Sequence, residues 1–509
     1  MRRITLCACL WAICWTSIRA VAQVLPKDGD TLNYRLVGFA FPQHKKTVEY
    51  LLEVEEYTQF DDGRYMARLV LNQTSESNKI IATVPKFGTV YRWRIMYLKK
   101  KKIIDSTTYH FFSTGYSPVI DTNKYRLRII DKAPADLGIY VMLDFISVIY
   151  DLEGNPVWYL PEMPVETDIN KQTRDLKPTK DGTFTTVSRL GAYEFDYDGN
   201  MLWKAPNDGR VSGEENESYH HEFTKLSNGN YMVCGSKPAL KKLPDIIGQE
   251  EIKNLKRTEL HDDGYYMNVN TGTLIEYDNK GNIIWQWMSE NYFSDEYFFP
   301  PKSNGKGVQI GMHLNGFEFD EDNKVIYLSF RNTNQVVKIE YPSGKILNQY
   351  GKGIEDGIQK ERLFIGQHCI RKAKDGRLYL FNNNTEDYDH GKLDLASSQN
   401  VSYVSVFEES ISVPGGIKKI WDFSCDIDTY AASGAGPGGS VYMLDNNSIL
   451  VGMGGVSRMF IVTPDKKILW NAIPESSNDN MKTRQPMRQY RASLIQTNDL
   501  EKYIFKGKN

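Results

Sequence analysis

From residue 118 to the C-terminus, short apolar segments alternate with polar turns in a recurring order. One half of the recurring element is a turn that leads into an apolar strand, usually with a tryptophan. It reads Gly154-Asn155-Pro156-Val157-Trp158, Gly199-Asn200-Met201-Leu202-Trp203 and Gly281-Asn282-Ile283-Ile284-Trp285. Looser copies are Gly344-Lys345-Ile346-Leu347, Lys418-Lys419-Ile420-Trp421 and Lys466-Lys467-Ile468-Leu469-Trp470, which makes six. The other half precedes it and consists of a turn and a short apolar strand. Its turns are Asp181-Gly182, Asn228-Gly229, Asp322-Asn323, Asp375-Gly376 and Asn446-Asn447. The first unit uses Tyr140 to Tyr150 and has no clean turn, and stretches near 236–276 and 384–410 read as loop insertions. Short strands at repeated turn spacing, grouped four to a unit, predict an all-β chain whose residues 118–509 form a six-bladed β-propeller.

Residues 23–117 have a different pattern. Tyr50 to Val54, Met66 to Val70, Val90 to Ile95 and Ser106 to Phe112 are strand-like and separated by Asp-, Gly- and Asn-bearing turns. They predict a small immunoglobulin- or fibronectin-like β-sandwich. With few chemical groups of its own, this module is expected to give support, and it is a candidate homodimer contact. Residues 1–22 read as an export signal: Arg2 and Arg3, an apolar run from Ile4 to Trp15, and a small-residue cleavage site at Ala20-Val21-Ala22. That run is too short to span a bilayer, which takes about 20 residues. No other segment is a membrane-span candidate, so a periplasmic or secreted protein is expected.

The composition adds exclusions. A formal net charge of −2 lacks the basic excess of a nucleic-acid binder. Cys7, Cys9 and Cys14 leave with the leader, and Cys234, Cys369 and Cys425 are too few and odd in number for a disulfide framework. Buried free thiols are expected.

The candidate chemistry rests on histidines. His221 lies eight residues before Gly229, His368 eight before Gly376, and His313 eight before Glu321. Equal offset predicts the same strand, the same height and, by period-2 alternation, the same face. A hairpin folded around 320–323 sets residue 313 opposite about residue 330 and Arg331 beside His313. His220 is then expected on the opposite face as a packing residue, while His44, His110, His261 and His390 read as structural or solvated. Three imidazoles are also a zinc-ligand set. Arg331 disfavours a cation and suits a sulfate-like oxyanion, which a guanidinium binds with two prongs.

The segments His220-His221-Glu222-Phe223, His313-Leu314-Asn315-Gly316 with Ser329-Phe330-Arg331-Asn332, and Gln367-His368 with Leu380-Phe381-Asn382-Asn383 resemble the motifs of bacterial arylsulfate sulfotransferases. The resemblance runs in order over most of residues 118–509. It implies an exported six-bladed propeller that moves a sulfuryl group from a phenolic sulfate ester to another phenol, with no nucleotide sulfate donor, cofactor or metal. The absence of a G-x-x-x-x-G-K-[ST] loop is consistent with that. The resemblance further implies that His368 is transiently sulfated in a ping-pong reaction and that His221, His313 and Arg331 hold the sulfuryl oxygens. Asn315 and Tyr490 would be polar substrate contacts. Family members often carry a cysteine pair near the nucleophile, whose spacing Cys369 and Cys425 do not reproduce. Neutral imidazole suits the role, since its ordinary pKa of about 6.5 leaves it largely unprotonated near neutrality. Two rival readings use the same architecture: a propeller that binds a glycan or protein partner without catalysis, and a quinone- or metal-dependent oxidoreductase.

Overall fold

The computed structural model describes residues 24–45, 49–161, 173–188, 191–245, 247–302, 307–351, 363–385, 401–410, 416–428, 437–477 and 483–508. The segment 1–22 expected to be a leader, and His390, lie outside them. The described chain is nearly all β, with two short α-helices among the described residues, Gln249–Asn254 and Leu500–Ile504.

Six antiparallel units of four strands account for most of it. The second consists of Arg174–Pro178, Phe184–Ser188, Gly191–Phe195 and Met201–Lys204. The third is Ser218–Lys225, Tyr231–Lys242, Gly264–Tyr277 and Ile283–Met288. The fourth is Leu314–Asp320, Val325–Phe330, Gln335–Glu340 and Ile346–Tyr350, and the fifth His368–Lys372, Leu378–Asn382, Tyr403–Glu409 and Ile417–Ser424. The sixth is Ser440–Met443, Ile449–Gly452, Met459–Val462 and Ile468–Ser476, and its outer edge is extended by Tyr125–Asp131. In these five units the five turns read from the sequence join the first strand to the second. Gly182, Gly229 and Gly376 take left-handed φ values of 80°, 86° and 90° there, which glycine adopts without steric cost.

The first unit explains its own missing turn. Its strands Ile139–Leu143, Val148–Tyr150 and Pro156–Tyr159 are consecutive, but the fourth, Ala492–Gln496, comes from the far end of the chain and pairs with Ile139–Leu143. No hairpin turn exists because no hairpin connects them.

Middle strands of the units are buried on both faces, as in Gly191–Phe195 and Leu378–Asn382. Strands of that kind read as continuous apolar runs instead of alternating ones. A hydrophobic layer separates each unit from the next, for example Trp203 and Val187 against Phe223 and Ile275, or Val337 and Ile339 against Leu274 and Trp287. The sixth unit also packs on the first, through Ile461 and Trp470 against Val141 and Tyr150. The first strands likewise neighbour one another in sequence from Arg174–Pro178 to Ser440–Met443, and Ala492–Gln496 contacts both of those end members.

The expected loop at 236–276 is instead regular structure. Tyr231–Lys242 and Gly264–Tyr277 pair continuously, with Thr258–His261 added on the edge. The stretch 384–410 contains the strand Tyr403–Glu409, and its residues 386–400 lie outside the described residues.

Before residue 118 a six-stranded sheet contains Asp30–Leu32, Glu49–Gln59, Tyr65–Ser75, Val90–Lys99, Lys102–Ser106 and His110–Thr114, and a two-stranded sheet pairs Leu36–Ala40 with Lys79–Thr83. The strand read as Ser106 to Phe112 is thus two. Their shared core runs into the first two units, since Phe39, Trp93 and Phe112 belong to the same cluster as Trp158, Phe184 and Tyr197.

Candidate functional site

The first strands of the second to fifth units share an irregularity. Each pairing with its neighbour shifts register, between Arg174 and Lys177, Tyr219 and Phe223, Leu314 and Gly316, and His368 and Arg371. At or beside each shift a non-glycine residue takes a left-handed backbone: Asp175 (φ 56°), His221 (63°), His313 (61°) and Cys369 (55°). Such a backbone costs roughly 1–2 kcal/mol per residue. Bulges of this kind re-aim side chains next to functional sites.

That irregularity corrects the alternation argument. His220 is not on the far face: its Nδ1 lies 2.7 Å from Nδ1 of His221, and its Nε2 lies 2.7 Å from Ser236 Oγ. His221 and His313 are left-handed but His368 is not, because in the fifth unit the next residue takes that place. Pairing of Leu314 with Phe330 puts Arg331, not residue 330, opposite His313, and the Arg331 amide donates to the His313 carbonyl at 2.9 Å.

The sequence-named side chains His221, His313, His368 and Tyr490 converge. Nε2 of His313 is 3.3 Å from Nε2 of His221. The Tyr490 ring stands edge-on to His221 at 5.6 Å and to His368 at 6.0 Å between centroids. Its hydroxyl is buried and has no hydrogen-bond partner among the described residues. Arg331 is buried and close enough to depress both His313 and His368. Asn315 is wholly buried, and its Nδ2 donates to the Gln367 carbonyl at 2.7 Å, which ties the fourth unit to the residue before His368.

His368 is held in one orientation. Its Nδ1 is 2.8 Å from Asn383 Oδ1 and 3.0 Å from the Gly366 carbonyl, two acceptors that require Nδ1 to carry the proton. Nε2 is left with its lone pair. Burial, and then the Arg331 charge, push the ring down to about 3, against the smaller opposing effect of Asn383. Burial and Arg174 lower His220 to about 4. Burial, His220, His313 and Arg174 hold His221 well below the usual imidazole range. His313 is likewise lowered by burial and Arg331, although it is open to solvent. All four imidazoles are neutral at pH 7.

Behind the histidines lies a buried ion cluster. Arg491 Nη1 is 2.6 Å from Asp175 and 2.5 Å from Glu222, and Arg371 Nη2 is 2.9 Å from Glu222. Lys177 contacts both carboxylates. Burial pushes the Glu222 carboxyl up, but Arg371, Arg491 and Lys177 outweigh it and hold it well below the usual range. Asp144 accepts the backbone amides of Asp175, Tyr490 and Arg491 and so fixes the segment that carries Tyr490. Burial raises Asp144 to about 7.

Sequence reasoning missed Arg174, His220 and Asn383. The Arg174 guanidinium sits 5.0 Å from the centre of the Tyr490 ring. It stands eight residues before Gly182, the same offset as His221 and His368, so the signal was present at a residue that is not a histidine. Among the described residues no group of three or more His, Cys, Asp or Glu side chains is arranged to hold a metal ion. Cys234, Cys369 and Cys425 are free and buried.

No curated protein matches the chain. Among solved structures, a protein of unknown function from Bacteroides caccae is 12% identical, covering 70% of this chain and 99% of its own, with a TM-score of 0.39. A catalytically inactive virginiamycin B lyase from Staphylococcus aureus with quinupristin is 12% identical over 74% of this chain and 96% of its own, with a TM-score of 0.35. The β-propeller domain of Cps50 (Swd1) from Myceliophteria thermophila is 9% identical over 67% and 88%, with a TM-score of 0.34. Scores at this level say nothing about the chemistry. The family model for arylsulfotransferase (ASST) matches residues 141–459, a span that contains every histidine of the cluster together with Arg331, Asn315 and Asn383. The chain belongs to the arylsulfotransferase family.

Proposed function

We propose that this protein transfers a sulfuryl group from a phenolic sulfate ester to a second phenol in two displacements, with Nε2 of His368 as the covalent carrier. The observation that carries this reading is the anchoring of His368 Nδ1 by Asn383 and Gly366, which leaves Nε2 with its lone pair on a ring that feels the Arg331 charge and stands against Tyr490. In the first displacement the Nε2 lone pair attacks sulfur, the N–S bond forms and the S–O(aryl) bond breaks, with its electron pair leaving on phenolate oxygen. In the second, the acceptor phenol attacks the same sulfur and Nε2 leaves. A covalent intermediate divides one hard transfer into two easier ones. Charge on the peripheral oxygens is met by the Arg331 guanidinium, a preorganised donor. Tyr490, whose buried hydroxyl has no partner among the described residues, gains one when an oxyanion binds. Asn315 acts from behind, by fixing Gln367.

The reading extends to the architecture and location. The six four-stranded units, the six layers between them and the contact of the last unit with the first support a six-bladed β-propeller, with residues 23–117 as an appended β-sandwich. The leader at 1–22 supports export to the periplasm or beyond.

The test uses purified protein with an aryl sulfate, with and without phenol acceptor. Donor alone should release up to one equivalent of phenol per site and then stall, and peptide mass analysis away from acid should place one added SO₃ on His368. Initial rates with both substrates should give parallel double-reciprocal lines. Intersecting lines with no burst and no adduct would replace the carrier by direct transfer.

A further inference from the structure

Resting on that transfer reading, we infer that His220 and Ser236 are positioning residues that turn His221 and His313 into a proton relay, which protonates the leaving phenolate and later takes up the acceptor's proton. The chain is continuous. Ser236 Oγ lies 2.7 Å from His220 Nε2, His220 Nδ1 2.7 Å from His221 Nδ1, and His221 Nε2 3.3 Å from His313 Nε2. Nδ1 of His313 has no protein partner among the described residues, and that ring is open to solvent. Ser236 is half-buried at the other end.

Each imidazole in this chain bonds through both or one of its nitrogens to the next, so the tautomers are linked. In one direction the Ser236 hydroxyl donates to His220 Nε2, His220 Nδ1–H to His221 Nδ1 and His221 Nε2–H to His313 Nε2, which leaves a proton on His313 Nδ1. In the other direction every bond reverses, and His313 Nδ1 presents a lone pair. The first arrangement is an acid and the second a base. Both are neutral.

Neutrality is the reason a relay is required. A single histidine that donates a proton must first be an imidazolium, and burial beside Arg174 and Arg331 opposes that for all of these rings. A neutral imidazole can give up one proton only while it gains another on its second nitrogen. As the S–O(aryl) bond breaks, His313 Nδ1 gives its proton to phenolate oxygen and each ring is refilled by the one behind it. Ser236 recovers its proton from solvent water. When the acceptor attacks the sulfated His368, its phenolic proton enters at His313 Nδ1, the bonds reverse, and one proton returns to water. One proton enters and one leaves per cycle, so the balance of a sulfuryl exchange between two phenols is kept. His220 and Ser236 touch no reacting atom and act through His221.

The experiment compares the first displacement alone, the rate of the phenol burst from two donors without acceptor, in the full-length protein. Phenyl sulfate releases a phenolate whose conjugate acid has a pKa of about 10, like tyrosine, and so benefits from a proton. 4-Nitrophenyl sulfate releases a much weaker base that leaves unaided. His220→Phe should slow phenol release from phenyl sulfate about 10²-fold, the scale of general acid catalysis, and release of 4-nitrophenol from 4-nitrophenyl sulfate only slightly. His220→Gln should lose as much, because an amide bonds to both neighbours but does not exchange tautomers. Ser236→Ala should show the same donor selectivity with a smaller loss, and it keeps the comparison alive if the His220 variants do not fold. Equal losses on both donors, or rescue by His220→Gln, would reduce His220 to a packing role and overturn the relay. If wild-type protein transfers from neither donor, the transfer reading itself falls and takes the relay with it.

Discussion

At the scale of single residues, the site is a set of neutral imidazoles kept neutral by burial and by nearby guanidinium groups. Replacement of His368 by Ala should lower turnover by at least about 10⁴-fold, the scale seen when a nucleophile is removed, while the melting temperature stays near wild type. Retained transfer with an unchanged melt would remove His368 from the covalent role. Arg331→Lys keeps the charge but loses the planar fork, and the expected loss is about 10²–10³ in turnover. The pH dependence follows from the same geometry. With the folded ring lowered to about 3, His368 stays unprotonated throughout the accessible range. Its protonation therefore puts no acid limb on kcat/KM between about pH 5 and 8, where an ordinary histidine at about 6.5 would. Asn383→Asp sets a carboxylate 2.8 Å from Nδ1, which favours the imidazolium and raises the pKa. The acid limb should then move up into the measured window, so activity is lost on acidification where wild type keeps it. An unchanged profile would show that Asn383 does not govern the nucleophile.

At the scale of elements, what the sequence revealed was local and what it concealed was not. The turns at Gly182, Gly229 and Gly376 and the tryptophan-bearing strands could be read because glycine in a left-handed turn and an apolar run are neighbours in the chain. The closing strand Ala492–Gln496 could not, because its partner Ile139–Leu143 lies at the other end of the sequence. Period-2 alternation placed His220 wrongly because it presumes an unbroken ladder, and the third unit shifts register between Tyr219 and Phe223. The long pairing of Tyr231–Lys242 with Gly264–Tyr277 passed for a loop since many of its outer residues, such as Lys241, Lys242 and Asn268, are polar. The left-handed residues yield a prediction of their own. His313 holds φ at 61° beside a register shift, a state that glycine adopts freely. His313→Gly should keep the melting temperature or raise it, with up to about 1–2 kcal/mol of strain relieved, while turnover collapses. His313→Ala should lose the same activity without that gain. If the glycine variant melts well below the alanine variant, the strain is not stored at this position.

At the scale of the molecule, the C-terminal segment joins the ends of the chain and supports the site at once. Ala492–Gln496 completes the first unit, Tyr490 stands against His221 and His368, and Arg491 reaches Asp175 of the second unit, Glu222 of the third and the Asn315 carbonyl of the fourth. Arg491 is wholly buried, as are both of its carboxylate partners. A buried ion network of this kind need not add stability over a well-packed apolar core, but removal of one partner leaves a charge uncompensated at a cost of about 3–5 kcal/mol. Arg491→Met should therefore lower stability by about that amount, in chemical denaturation followed by tryptophan fluorescence. The loss should be global, because the same side chain bonds to three units that are far apart in sequence and the strand it precedes closes the first. Turnover should fall as well, since the segment that carries Tyr490 loses one of its anchors. Asp144, which accepts the amides of Tyr490 and Arg491, remains as the other. A variant that unfolds like wild type yet turns over slowly would mean that Arg491 serves the anion site alone, and that Asp144 and the closing strand suffice to hold the two ends of the chain together.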